Sequence, residues 1–150
     1  NYRRVIEYLV RKKVTVCLFG GEGDEERSFN AELASYFPGK IIDLTGKTSL
    51  PQWSALISQI SLVIAPDTGS VHLARALGVP VVGLYAVANP SLTGPYLKQD
   101  YCVNKYHEAV EKYTSASKAR DYHDRVHHPE VMSLIKADEG FRSCSSGKAI

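Results

Sequence analysis

The sequence predicts a parallel α/β fold, and three observations predict it. Short runs of β-branched and aliphatic residues alternate with stretches of helical periodicity; one run, Pro80-Val-Val-Gly-Leu-Tyr85, has no polar face; and the turns between them are built from Gly, Pro, Asp, Ser and Thr. Parallel strands need a crossover, usually a helix, and helices on both faces of a sheet leave its strands no polar side.

Taken in order, Val5, Ile6, Leu9 and Val10 recur at helical spacing through Lys13, and Val14 to Phe19 is a short β-rich run closed by Gly20-Gly21. Asp24 opens a charged helix, with Phe29, Ala31, Leu33 and Ala34 available for packing, that ends near Phe37-Pro38-Gly39. A second strand spans Ile41 to Leu44. From Pro51 a helix places Trp53, Leu56, Ile57 and Ile60 on one face, and Leu62 to Ala65 is a third strand. Val71 to Leu77 is helical and is stopped by Gly78, and Pro80 to Tyr85 is the fourth strand. Ala86 to Asn104, with Asn89-Pro90 and Gly94-Pro95, is expected to be a long loop of the kind used for ligand contact or closure, or else a surface connection. Helices are expected around His107 to Tyr113 and Glu130 to Ile135, with no strand between them.

At 150 residues and 44% hydrophobic, the chain is long enough for one domain with a substantial core and too short for two ordinary ones. That domain is expected over residues 1–142, with the small polar residues 143–150 as a frayed tail. A net charge of +2, spread without a long run of either sign, carries no footprint for nucleic acid, whereas a small anionic ligand remains open. Cys17, Cys102 and Cys144 lie far apart and form no Cys-x-x-Cys pair, which fits a reducing, cytoplasmic compartment. No apolar stretch approaches the roughly 20 residues a spanning helix needs, which still leaves room for peripheral contact with a membrane. The chain begins Asn-Tyr-Arg-Arg rather than with Met, and its first dozen residues read as a helix rather than a leader, so a domain fragment is expected.

The chemistry is concentrated where the third strand runs through Pro66 into Asp67-Thr68-Gly69-Ser70 and a helix follows at once. The first N–H groups of a helix have no internal partners and sit at the positive end of its dipole, so such a turn attracts phosphate. Gly69 lets a ligand approach the backbone, Thr68 and Ser70 add hydroxyls, and His72 lies within the first helical turn. Alternatively, Asp67 or Thr68 simply caps the helix, and His72 is a satisfied core histidine. His123, His127 and His128 with Glu130 fit neither a zinc helix nor a finger, so no metal is expected. Tyr85, Tyr96 and Tyr101 either line a sugar cleft or serve packing.

The runs Asp43-Leu-Thr-Gly-Lys-Thr-Ser-Leu50, Ile64-Ala-Pro-Asp-Thr-Gly-Ser-Val-His-Leu-Ala74 and Ala76-Leu-Gly-Val-Pro80 together resemble the ADP-heptose:lipopolysaccharide heptosyltransferases, glycosyltransferase family 9, over roughly residues 1–96. The resemblance implies the C-terminal, donor-binding Rossmann-like half of a two-domain GT-B enzyme. It implies an inverting, metal-independent and cofactor-free transfer of heptose from ADP-L-glycero-D-manno-heptose to the lipopolysaccharide inner core, in the cytoplasm or at the cytoplasmic face of the inner membrane. By the same resemblance, Thr68, Gly69 and Ser70 offer N–H and hydroxyl donors to the diphosphate, and His72 assists them. Asp67 meets the phosphate-proximal sugar region or orients the acceptor. Asp24 matches the acidic ribose-binding position, where the family often has Glu and where Glu25 and Glu26 compete for the assignment; an acidic first helical turn favoured by the dipole is the alternative. Thr48 sits where the family offers backbone contacts to adenine, and Lys47 touches phosphate or is an exposed loop lysine. The family's opening strand with its lysine-bearing loop, and the N-terminal domain whose Asp is the general base, are not in this sequence, so the chain alone is expected to be inactive. Two other functions stay open: another GT-B transferase with a different nucleotide sugar, and a non-catalytic nucleotide-binding module.

Overall fold

The computed structural model describes residues 1–94, 102–114 and 125–139; the tail 143–150 lies outside them, as do Tyr96, Tyr101 and His123. The chain divides into two compact units, residues 1–53 and 54–150.

In the first unit, α1 (Tyr2–Arg11) buries Ile6 and Leu9 and packs on β1 (Val16–Leu18). The helix ends in a pair of reversed hydrogen bonds, from the Lys13 amide to the Val10 carbonyl and from the Val14 amide to the Leu9 carbonyl, with Lys13 left-handed at φ 61. Next, α2 (Asp24–Ser35) carries three acids in its first turn, where the dipole favours them, and packs through Leu33 and Asn30 against β2 (Ile41–Asp43). β1 and β2 are parallel, Val16 opposite Ile41 and Leu18 opposite Asp43. The helix α3 (Leu50–Ile57) contains the boundary between the units.

The second unit is a three-stranded parallel sheet in the order β3 (Val63–Pro66), β4 (Val81–Tyr85), β5 (Cys102–Asn104). Every residue of the central strand β4 is buried, which is why its sequence lacks a polar face. The crossover α4 (Gly69–Ala76) packs on β3 and β4 with Val71 and Ala74 fully buried. It ends in the same hydrogen-bond pair as α1, here with Gly78 at φ 74. After β4 come a helical turn α5 (Pro90–Thr93), then β5, α6 (Tyr106–Tyr113) and a 3-10 turn at Val131–Leu134 that packs on α6.

The four expected strands are present and pair in parallel, so the α/β expectation holds. Two expectations need correction. The stretch after β4 is neither an open loop nor a surface connection at its start, because Ala86, Ala88, Asn89 and Pro90 are buried and the Asn89 side chain accepts from the Ser91 amide at 3.0 Å to start α5. It also contains β5, whose three residues are too few to show a period. The helix expected around Glu130 to Ile135 is one 3-10 turn, since Val131 and Ile135 bury themselves without a continuing apolar face. Among the described residues, no helix is long and apolar enough to cross a membrane.

Candidate functional site

In the second unit, the parallel register of Pro66 with Leu84 carries β3 out of the sheet straight into Asp67 and Thr68. Thr68 is extended (φ −140, ψ 171) and is the N-cap of α4, yet its side chain makes no capping hydrogen bond. The cap is therefore positional, and the hydroxyl is not consumed by it. Among the described residues, a Cβ built on Gly69 would meet nothing within 4 Å, so no packing among them demands glycine at the helix start. His72 is exposed, its side chain 54% accessible, which sets aside the core-histidine alternative. Its Nε2 lies 3.9 Å from Asp67 Oδ1.

Asp67 is the least accessible charged group at this turn, with 12% of its side chain exposed. Its second oxygen, Oδ2, accepts a hydrogen bond from Arg125 Nη2 at 3.4 Å. The sequence reading missed Arg125: it lies 58 residues downstream of Asp67, in a stretch with no motif and no period to draw attention to it. Beneath the turn, Tyr85 is fully buried and donates to the Thr93 carbonyl at 3.3 Å. Burial, and then the nearby Cys102 and Asp67 charges, push its phenol well above the ordinary range. Tyr85 is thus a packing residue, and its ring lies where a Gly83 side chain would stand, 2.5 Å from a Cβ built there. His128 stacks on Tyr113 with ring centroids 4.0 Å apart.

In the first unit, Asp24 opens α2 and is exposed. Of the three neighbouring acids, Glu26 folds back to accept from the Gly21 amide and so closes the β1–α2 loop, which leaves Asp24 and Glu25 outermost. The loop after β2 is held by a buried polar chain: Asn30 Nδ2 donates to Thr45 Oγ1 at 2.8 Å, and Thr45 Oγ1 donates to Asp43 Oδ1 at 2.6 Å. Burial pushes the Asp43 carboxyl up, but the hydroxyl and amide of Thr45 and the charge of Lys47 outweigh it, and its pKa lies below the ordinary value. Lys47 Nζ donates to the Asp43 carbonyl at 2.8 Å, and Thr48 follows, half-buried, in the same loop.

A family model described as Glycosyltransferase family 9 (heptosyltransferase) matches residues 1–123. The chain belongs to glycosyltransferase family 9. It is 47% identical over 70 residues to the lipopolysaccharide core heptosyltransferase OpsX of Haemophilus influenzae, covering 47% of this chain and 20% of that one. It is 30% identical over 130 residues to lipooligosaccharide heptosyltransferase 2 of Haemophilus ducreyi, covering 84% of this chain and 37% of that one. Two solved structures share the fold: a family 9 glycosyl transferase from Veillonella parvula (TM-score 0.72, 23% identity) and the ADP-heptose LPS heptosyltransferase II of E. coli (TM-score 0.69, 19% identity). Each likeness covers 97% of this chain and 39% of the other. The chain therefore spans well under half the length of these relatives.

Proposed function

We propose that this chain is the donor-binding half of a GT-B heptosyltransferase of lipopolysaccharide core assembly, and that it holds ADP-L-glycero-D-manno-heptose through the β3–α4 turn. The observation that carries the reading is the helix start itself. Thr68 caps α4 without spending its hydroxyl, Gly69 opens onto empty space, and His72 is exposed within the first turn. In the transfer, an acceptor hydroxyl oxygen bonds to the anomeric carbon as the bond from that carbon to the diphosphate oxygen breaks. The hydroxyl proton passes to a base on the partner half, and ADP departs with the electron pair. Negative charge grows on the diphosphate as this happens, and fixed N–H groups at Gly69 and Ser70 with the His72 imidazole stabilise it without a metal ion. Asp24 and Thr48 are assigned ribose and adenine contacts on the family resemblance, each to be tested by its own substitution. The acceptor is the inner core at the cytoplasmic face of the inner membrane.

Calorimetric titration of the intact protein with ADP, UDP and GDP tests the reading. Binding of ADP at least tenfold tighter than the other two, weakened by His72→Ala, is expected. Equal affinities for the three nucleotides overturn the ADP assignment, and ADP affinity untouched by both His72→Ala and Gly69→Ala removes the turn as the site.

A further inference from the structure

An acid at an anion-binding turn needs a counter-charge. The Asp67 carboxylate is mostly buried beside the start of α4, where it would repel a diphosphate held on the Gly69 and Ser70 amides. In the low effective dielectric of such a position, repulsion between like charges a few ångströms apart reaches several kcal/mol. The structure supplies that charge from Arg125, whose guanidinium bonds Oδ2, while His72 Nε2 lies 3.9 Å from Oδ1.

Arg125 is fixed at this place by its backbone. The next residue, Val126, is buried, and its amide donates to the Val87 carbonyl at 2.9 Å, two residues past the end of β4. The segment is thereby anchored to the end of the central strand, at the carboxyl edge where open parallel sheets bind ligands. The guanidinium has five N–H donors in a planar fork, and the one long hydrogen bond to Asp67 leaves most of them unspent among the described residues. Its side chain is 55% exposed, as is fitting for a group that must reach a ligand rather than fill a core.

We propose that Arg125 is a further diphosphate-binding residue: Asp67 tethers it, and its remaining N–H donors are presented to the phosphate oxygens of the sugar donor at the β3–α4 turn. The inference rests on the reading of that turn given above, and deepens it. The tether sets Asp67 a second task, that of holding a cation in place while itself being neutralised.

The test compares ADP and adenosine binding to the intact protein in wild type, Arg125→Ala, Arg125→Gln, Arg125→Lys and His72→Ala, with the melting temperature of each sample. Arg125→Ala and Arg125→Gln are expected to weaken ADP about tenfold, the loss of one charged hydrogen bond, with adenosine affinity and melting temperature unchanged. Arg125→Lys should recover part of the loss, since it keeps the charge without the fork. Wild-type ADP affinity in Arg125→Ala, alongside weakened binding in His72→Ala, overturns the Arg125 role and leaves the turn standing. Full ADP affinity in both variants removes the turn and Arg125 together. Equal loss of ADP and adenosine with early melting in all three Arg125 variants makes Arg125 a residue of the fold, and likewise overturns the proposal.

Discussion

Gly69 is the residue at which stability and binding part company. A Cβ there meets nothing within 4 Å among the described residues, and alanine is a better helix former than glycine by about 0.5–1 kcal/mol. Gly69→Ala is therefore expected to leave the melting temperature unchanged or raise it slightly while, on the proposed function, weakening ADP binding, because the new methyl would stand in the path proposed for a phosphate. A matched fall in both quantities would make the glycine structural. His72→Ala is the complementary case: the side chain is more than half exposed, so its removal should shift melting little. On the proposed function it should lower transfer by the intact protein about ten- to hundred-fold, the worth of a charge-assisted hydrogen bond of roughly 1.5–3 kcal/mol if that bond forms mainly in the transition state. Asp67 to His72 could be picked out of the sequence because a strand, a glycine turn and a helix follow one another without a gap. Arg125 could not, since its link to Asp67 exists only through the folding of everything between them.

At the scale of the element, α1 and α4 end in one and the same hydrogen-bond pattern with different residues at the left-handed position, Lys13 in the first and Gly78 in the second. A side chain in that conformation costs roughly 1–2 kcal/mol, offset in part by the greater chain entropy that glycine gives up on folding. Lys13→Gly should thus stabilise the chain by up to about 1 kcal/mol, and Gly78→Ala, where open space leaves only the backbone strain, should destabilise it by about the same. Urea midpoints measured on the two variants check both signs. The stop at Gly78 was legible because glycine announces it, whereas Lys13 gives no such notice and only the chain's turn into β1 reveals its conformation. β5 stayed hidden for another reason: a three-residue strand is defined by its neighbour β4, and its own composition carries too little pattern.

Across the whole molecule, each unit has a carboxylate whose pKa lies below its ordinary value. Asp43 in the first unit is held down by Thr45 and Lys47 against the opposing effect of burial. Glu139 in the second is held down, again against burial, by the Lys136 amide and by Lys105, which bonds it at 2.9 Å. A folded-state pKa below the unfolded one contributes stability that is complete above the ordinary carboxylate range and is lost as pH falls through the lowered value. Acid should therefore destabilise the protein below about pH 4, the unfolded carboxylate range, and Asp43→Asn should flatten that limb in denaturant titrations repeated across pH. An acid limb of unchanged slope in Asp43→Asn would show that its network contributes nothing to the pH dependence. Lys105 has the opposite sign. Its ammonium is held up by Glu108 and Glu139, so its contribution is full below the ordinary lysine value of 10.5 and drains as pH rises through the raised one.

Tyr85 turns the second unit into its own spectroscopic clock. Its phenol packs against Gly83 and donates to the Thr93 carbonyl, and burial pushes its pKa up, so it should lose its proton less readily than an exposed tyrosine. In an alkaline jump, phenolate absorbance should then rise promptly from surface tyrosines and more slowly from less accessible ones such as Tyr2, Tyr85 and Tyr106, and the slow part that Tyr85→Phe removes should report opening around β4. On the proposed function, nucleotide should slow that part and leave the prompt rise untouched.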